Sequence, residues 1–124
     1  ILLTGNNKQK CKVSSTLNKS IEFSSKNMFD NDINTCWNSD QGSPQSILID
    51  FQRLVKIQFI NITFQGGFVG QECEVKCGLS NNLLELIEII YPEDVNDQQT
   101  FQLPETETKY LSIIFPSSTD FYGR

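Results

Sequence analysis

Residues 28–45 read MFDNDINTCWNSDQGSPQ and combine turn-forming polar residues with two large aromatic ones. Short side chains such as those of Asp, Asn and Ser bond to the neighbouring backbone and stabilise tight turns. Phe29 and Trp37, the only tryptophan of the chain, can each bury roughly 150–250 Å² and so fix a loop to a core. The stretch therefore predicts a structured loop that delivers Trp37 to the core and leads into a strand.

The segments after this loop alternate apolar and polar residues in the manner of strands. Ser46–Phe51 is short and rich in Ile, and Val55–Phe64 is the longest predicted strand. In the first half of the second segment, the odd-numbered positions are apolar, namely Val55, Ile57 and Phe59. In its second half, the even-numbered positions are apolar, namely Ile60, Ile62 and Phe64. Because strand side chains alternate with a period of two, this switch predicts a bulge or a change of sheet.

Other short strands are predicted at Lys12–Leu17, Glu72–Gly78, Gln99–Leu103 and Tyr110–Phe115. The apolar spacing of Leu83–Ile90 suits a short helix about as well as a buried strand. Its Ile content and the Tyr-Pro pair that follows it favour a strand. Many short strands with turn signals between them, and no long helix, predict an all-β fold, an antiparallel sandwich or jelly roll.

Motifs along most of the chain resemble one known family. The opening stretch gives Phe-Asp-x-Asp-x-x-Thr-x-Trp-x-Ser over residues 29–39, and Ser-Ser-x-Leu-Asn occurs upstream at residues 14–18. These patterns resemble the factor V/VIII C-type, or discoidin-like, family of galactose-binding-like β-sandwiches. Four further segments are similar to a small intracellular member of that family: Thr35–Gly42, Phe64–Phe68, Tyr91–Asp94 and Asp120–Arg124.

The resemblance implies a jelly-roll domain over residues 13–124, preceded by an arm at residues 1–12. Members of the family continue beyond the Phe-Tyr-Gly-Arg corner into a final strand, whereas this sequence ends at Arg124 and begins at Ile1 without Met. We therefore expect the sequence to be a fragment of a longer chain, or only its ordered part, or a partner to supply the final strand.

Charge and cysteine content narrow the class of function. The formal charge is −5, and the ten Lys and Arg residues are scattered, which argues against nucleic-acid binding and against an electrostatic membrane anchor. No apolar run approaches the roughly 20 residues of a membrane span, so no membrane insertion is expected. Secreted discoidin domains often join their ends by a disulfide, but no Cys follows Cys77. An intracellular, reducing compartment is therefore expected.

Asp30, Asp32 and Thr35 are the leading candidate metal ligands. Hard cations such as Ca²⁺ take six to eight oxygen ligands, and a tight loop can supply several of them. The resemblance implies a structural Ca²⁺ at this loop, although the family site usually adds a carboxylate from the final strand. The alternative is that both Asp residues cap turns and bind no metal.

The candidate partner-binding residues are Phe64, Gly66, Gly67 and Phe68. Phospholipid-binding relatives present apolar side chains from this loop, but here no Lys or Arg accompanies Phe68. A protein contact or a packed loop is therefore favoured over lipid. Trp37 could stack on a sugar, although the family places this residue in the core.

Catalysis finds no support in the sequence. The chain has no His, and it lacks a phosphate-binding loop, a nucleophile elbow and a zinc-protease motif. Cys73 and Cys77 make a poor zinc site without His, and their even spacing predicts semi-buried thiols on one face of a strand.

The sequence thus predicts a non-enzymatic protein–protein interaction module. Its expected role is that of an intracellular adaptor, or of a structural subunit in a larger assembly, in the nucleus, cytoplasm or cilium. The alternative is a carbohydrate-binding module, with or without structural Ca²⁺.

Overall fold

The chain folds into an antiparallel β-sheet. The computed structural model describes residues 10–16, 19, 28–29, 36–37, 39, 44–64 and 72–115. Its strands are β1 (Lys10–Val13), β2 (Gln45–Thr63), β3 (Cys73–Gly78), β4 (Glu85–Ile90) and β5 (Gln98–Phe115). They form one sheet in the order β1-β2-β5-β3-β4, and all four pairings are antiparallel. Over these residues there is no α-helix, and hence none of the length and apolarity needed to cross a membrane.

The prediction of short strands is wrong for β2 and β5, which are neighbours in the sheet. The 19-residue strand β2 includes both Ser46–Phe51 and Val55–Phe64, except for Phe64 itself. The 18-residue strand β5 includes both Gln99–Leu103 and Tyr110–Phe115. The halves of β2 are joined by a bulge, where the register with β5 shifts between Asp50 and Val55. Within it, Gln52 adopts a positive φ of 59°, and its N–H donates to Oδ1 of Asp50 at 2.8 Å. The interruption predicted between Phe51 and Val55 therefore exists, but it is a bulge within one continuous strand.

The switch of parity inside β2 is confirmed as a second bulge, with one correction. The register shifts between Ile57 and Phe59, opposite the segment of β5 that contains Pro104. Proline has no N–H to donate to the ladder and is confined to strand edges and bulges. The switch therefore comes before Phe59, and its side chain is 53% exposed instead of sharing the buried face of Val55 and Ile57.

The prediction of a first strand at Lys12–Leu17 is also wrong in its bounds, because β1 ends at Val13. The Ser14 N–H still donates to the Ser46 carbonyl at 2.9 Å, and the chain then leaves the sheet. The choice of strand over helix for Leu83–Ile90 is confirmed by β4.

One face of the sheet carries the hydrophobic core. Alternate residues of the three central strands are buried, and Phe51 and Val75 are the largest fully buried side chains. The core cluster on this face comprises Trp37, Ile47, Ile49, Phe51, Val55, Ile57, Phe64, Cys73, Val75, Cys77, Ile90, Leu103, Leu111, Ile113 and Phe115.

Candidate functional site

An aromatic cluster anchors the segments that contain the two predicted sites. Trp37, which follows the predicted metal loop, lies with its ring centroid 6.4 Å from that of Phe115. Phe64, which precedes the predicted partner-binding loop, meets the same Phe115 ring edge-to-face at 6.1 Å. Edge-to-face and tilted pairs of this kind stabilise by about 0.5–1.5 kcal/mol beyond the area that they bury. Both anchors thus lie in one part of the core.

Trp37 is confirmed as a core residue. It is 5% exposed, and its Nε1–H donates to the Ser15 carbonyl at 2.9 Å. A buried indole needs such an acceptor, because an unpaired buried N–H costs about 1–3 kcal/mol. With its ring covered and its polar atom bonded, Trp37 offers no platform for a sugar.

A polar network around Trp37 was not predicted from the sequence. Oε1 of Gln45 accepts hydrogen bonds from the hydroxyls of Ser14 and Ser15, and the Ser46 N–H donates to Oγ of Ser14 at 2.9 Å. The network ties the end of β1 to the start of β2, beside the carbonyl that holds Trp37. The Ser-Ser pair of the resemblance motif was its sequence signal, although the motif alone did not reveal the partner.

The predicted site residues lie mainly outside the described residues. This applies to Asp30, Asp32 and Thr35, so the Ca²⁺ site stays a prediction, and it applies equally to Gly66, Gly67 and Phe68. Phe64 is described, and its side chain is buried in the core, 7% exposed. Across the described ranges, no group of three or more His, Cys, Asp or Glu side chains is arranged to hold a metal ion.

The cysteines of β3 share one face of the strand, as predicted, but they are buried rather than semi-buried. Cys73 is fully buried and Cys77 is 4% exposed. Burial raises the pKa of Cys73 to about 12, with a further increase from the negative charge of Glu72. Burial also raises the pKa of Cys77 to about 11, although a hydrogen bond with the Thr108 side chain acts in the opposite direction. Since the thiolate is the reactive form, thiols with such pKa values are poor nucleophiles at neutral pH.

The hairpin of β3 and β4 presents the largest group of exposed aliphatic side chains in the described part of the chain. Leu79 and Leu83, in the connecting loop, are 68% and 75% exposed, and Leu86 in β4 is 50% exposed. Tyr91, directly after β4, is 66% exposed. Aliphatic side chains that lie together on a surface mark a contact site more often than isolated ones do. Tyr91 follows the end of β4 that is distant from this loop. We call Leu79, Leu83 and Leu86 the hairpin patch.

A shallow groove lies on β2, at the second bulge. It has a volume of about 280 Å³ and is lined by Lys56, Ile57, Gln58 and Phe59. Two of the lining side chains bond to Glu105 of β5: Nε2 of Gln58 donates to its Oε1 at 2.9 Å, and Nζ of Lys56 lies 3.6 Å from the same oxygen. The ring of Phe59 is 53% exposed. The groove is smaller and more polar than typical ligand pockets, which enclose roughly 300–1,000 Å³ and are mostly apolar.

Comparison with known proteins gives close relatives by sequence. The sequence model of the NedA-like, galactose-binding domain matches residues 27–113. The chain is 42% identical to the nuclear receptor 2C2-associated protein of Danio rerio over 120 residues, which cover 95% of this chain and 85% of that protein. It is 40% identical to the protein of the same name from Homo sapiens over 114 residues, 91% of this chain and 82% of that protein.

Solved structures share the fold at low sequence identity. Chitosan-binding module 2 of a Paenibacillus sp. IK-5 chitosanase/glucanase, in complex with chitotriose, matches with a TM-score of 0.80 at 15% identity, over 94% of this chain and 90% of that one. The family 32 carbohydrate-binding module of NanJ from Clostridium perfringens, in complex with galactose, matches with a TM-score of 0.77 at 18% identity, over 92% and 86%. The predicted antiparallel jelly-roll sandwich is thereby confirmed.

Proposed function

This chain belongs to the NedA-like, galactose-binding domain family and to the nuclear receptor 2C2-associated proteins, and from this premise we propose that it is a non-enzymatic protein-interaction module that associates with a nuclear receptor. The observation that carries the proposal is the identity of 40–42% over at least 91% of the chain. The name of these relatives states association with a protein. The role that follows is that of an adaptor or complex subunit in the nucleus or cytoplasm.

The exposed surface supports protein binding. The hairpin patch is aliphatic, and burial of apolar side chains at a contact stabilises protein association. A sugar site, in contrast, requires exposed aromatic rings. The only Trp is covered by the core, and in the described part of the chain the exposed aromatic residues are Phe59 and Tyr91, which lie at different parts of the sheet. The hairpin patch is therefore the surface that we assign to the receptor. Gly66, Gly67 and Phe68 stay a second predicted contact, which a Phe68→Ser variant tests.

The proposal predicts direct binding of the purified chain to purified nuclear receptor 2C2. We expect saturable binding by interferometry that survives added galactose and EDTA, because neither a sugar nor Ca²⁺ contributes to the contact. A Leu79→Ser/Leu83→Ser variant should bind at least about fivefold more weakly, since each exposed Leu contributes about 1 kcal/mol at a contact.

The matched control for this experiment is Leu54→Ser, which removes a Leu that is 54% exposed on β2. It should bind as the unmodified chain does. Absence of binding to the receptor at protein concentrations up to about 100 μM, equivalent to a free energy of only about −5.5 kcal/mol, would contradict the proposal.

The groove beside Phe59 favours carbohydrate binding as the second candidate function. Its aromatic ring and polar rim have the composition of a small sugar site, and the structural neighbours named above were solved with sugars bound. The test is a glycan array with and without Ca²⁺, repeated with Phe59→Ala. Selective binding that Phe59→Ala abolishes would establish this function, whereas binding that Phe59→Ala leaves unchanged would exclude the groove.

A further inference from the structure

Charge is segregated along the chain. Between Lys76 and Lys109 there is no Lys or Arg, yet this interval holds seven of the fifteen acidic residues. They are Glu85, Glu88, Glu93, Asp94, Asp97, Glu105 and Glu107. The interval includes all of β4 and the loop that follows it. Glu85 and Glu88 lie on β4, and Glu93, Asp94 and Asp97 lie on the loop after it, so this part of the molecule has a local excess of negative charge that attracts basic partners.

Within the described sheet, β4 is an edge strand. It pairs with β3 on one side and is the last strand in the sheet order. An edge strand presents main-chain N–H and C=O groups that can pair with an added strand. The Ile89 N–H of β4 donates to Oε1 of Glu88, the preceding side chain, at 3.1 Å. A side-chain carboxylate thus occupies the position that a strand carbonyl would take on an open edge.

The side chains of β4 divide between the two faces of the sheet. Leu86 lies opposite Lys76 on the outer face, and Glu88 lies opposite Val75 on the core face. Of the devices that protect natural edge strands from added strands, Glu85–Ile90 lacks Lys and Pro, whereas its pairing with β3 does contain a register shift between Val75 and Lys76. The strand β4 exposes Leu86 and is preceded by the exposed Leu83.

We propose that β4 binds an extended segment of another protein by strand addition, and that this segment alternates basic with apolar residues. The added strand places a carbonyl on the Ile89 N–H and displaces the Glu88 carboxylate. That carboxylate then pairs with a basic side chain of the segment on the core-face side. An apolar side chain on the opposite side packs on Leu86. The proposal rests on the proposed protein-binding function and adds to it the edge used and the chemistry of the partner.

The probe is a fluorescein-labelled peptide of about ten residues in which lysine and valine alternate, long enough to cover one strand. Fluorescence anisotropy should show saturable binding at physiological salt, and hydrogen exchange should show slower exchange of the Ile89 amide. A peptide that alternates glutamate and valine should bind at least about tenfold more weakly, a difference of about 1.4 kcal/mol.

A control peptide distinguishes backbone pairing from charge attraction as the cause of binding. It has the same lysine–valine sequence but is N-methylated on alternate residues. Methylation preserves the charge but removes the N–H donors of one edge, so strand addition predicts at least about tenfold weaker binding. Equal affinity of the methylated and unmethylated peptides would overturn the proposal. Failure of the unmethylated peptide to bind at about 1 mM, equivalent to about −4.1 kcal/mol, would overturn it as well.

Two matched pairs of variants locate the site. Glu88→Gln should weaken peptide binding by at least about fivefold, whereas Glu107→Gln, an equal loss of charge on an exposed residue of β5, should change it by less than about twofold. Leu86→Lys should abolish binding by placing a charge on the edge, whereas Leu79→Lys in the loop should retain it. Equal effects within either pair would contradict the assignment to β4.

The result also separates this inference from the proposed function. If the unmodified chain binds the receptor but does not bind the peptide, the edge proposal falls and the protein-binding proposal stands. If sedimentation of the chain alone shows a dimer that Leu86→Lys dissociates, the occupant of β4 is a second copy, and the assignment to another protein is overturned.

Discussion

At the scale of single residues, Thr108 shows how one hydroxyl can stabilise a fold. The residue is fully buried, and its Oγ1 accepts the Gly78 N–H at 3.0 Å. The single hydroxyl hydrogen is directed to a carbonyl, with Tyr110 O at 2.7 Å and Gly78 O at 3.0 Å. Gly78 in turn has no room for a side chain, because an added Cβ would lie 2.3 Å from the Leu83 carbonyl oxygen. Thr108 therefore fixes the point where the β3–β4 hairpin begins.

A Thr108→Val variant tests this role. Valine has nearly the same shape, but the buried Gly78 N–H loses its acceptor, so the free energy of unfolding should fall by about 1–3 kcal/mol. The control is Thr100→Val, which removes an exposed hydroxyl that donates to Oδ1 of Asn61 at 2.6 Å and should cost less than about 0.5 kcal/mol. Urea denaturation measures both, and equal losses would contradict the assigned role.

At the scale of the strand, β3 carries two thiols whose pKa values are raised by burial, Cys73 to about 12 and Cys77 to about 11. The ordinary thiol value of 9.0 applies to the unfolded chain. Above pH 9 the unfolded chain loses thiol protons that the folded chain retains, so ionisation favours unfolding. Stability contributed by the neutral thiols is complete below pH 9 and falls as the pH rises toward 11 and 12.

We predict that the free energy of unfolding declines between about pH 9 and pH 11. The decline should be shallower in Cys73→Ala, once the pH-independent loss of stability caused by the cavity in that variant has been subtracted. Denaturation series at several pH values measure the slope, with Cys36→Ala, which alters a half-buried cysteine outside the sheet, as the control. Identical slopes in all three proteins would show that the β3 thiols do not titrate in this way.

Strands could be predicted from the sequence wherever the pattern had a period of two, as in Cys73, Val75 and Cys77 of β3. The burial of Trp37 followed from its motif. The length of β2 could not be predicted, because the bulge between Asp50 and Val55 that joins its halves is revealed only by pairing with β5, which is distant in sequence. The exposure of Leu86 depends on β4 being at the edge, and the order of strands in a sheet is set by long-range pairing. The metal and loop predictions fall on residues outside the described ranges.

At the scale of the whole molecule, one jelly-roll fold presents two different surfaces. The first surface combines the apolar hairpin patch with the acidic edge of β4, which presents main-chain N–H and C=O groups. The second surface is the groove beside Phe59 on β2, which is small and polar. Fold alone does not decide between protein and sugar as ligand. The composition of the two surfaces and the close relatives together favour a protein.

The measurement that tests this account most directly is hydrogen–deuterium exchange of the chain with and without purified nuclear receptor 2C2. We predict slower exchange on receptor binding at residues 79–90, which include the connecting loop and β4, and unchanged exchange at Lys56–Phe59. Unchanged exchange throughout residues 79–90 at saturating receptor would contradict the account, and slower exchange at Lys56–Phe59 with galactose or chitotriose in place of the receptor would assign the molecule to carbohydrate binding.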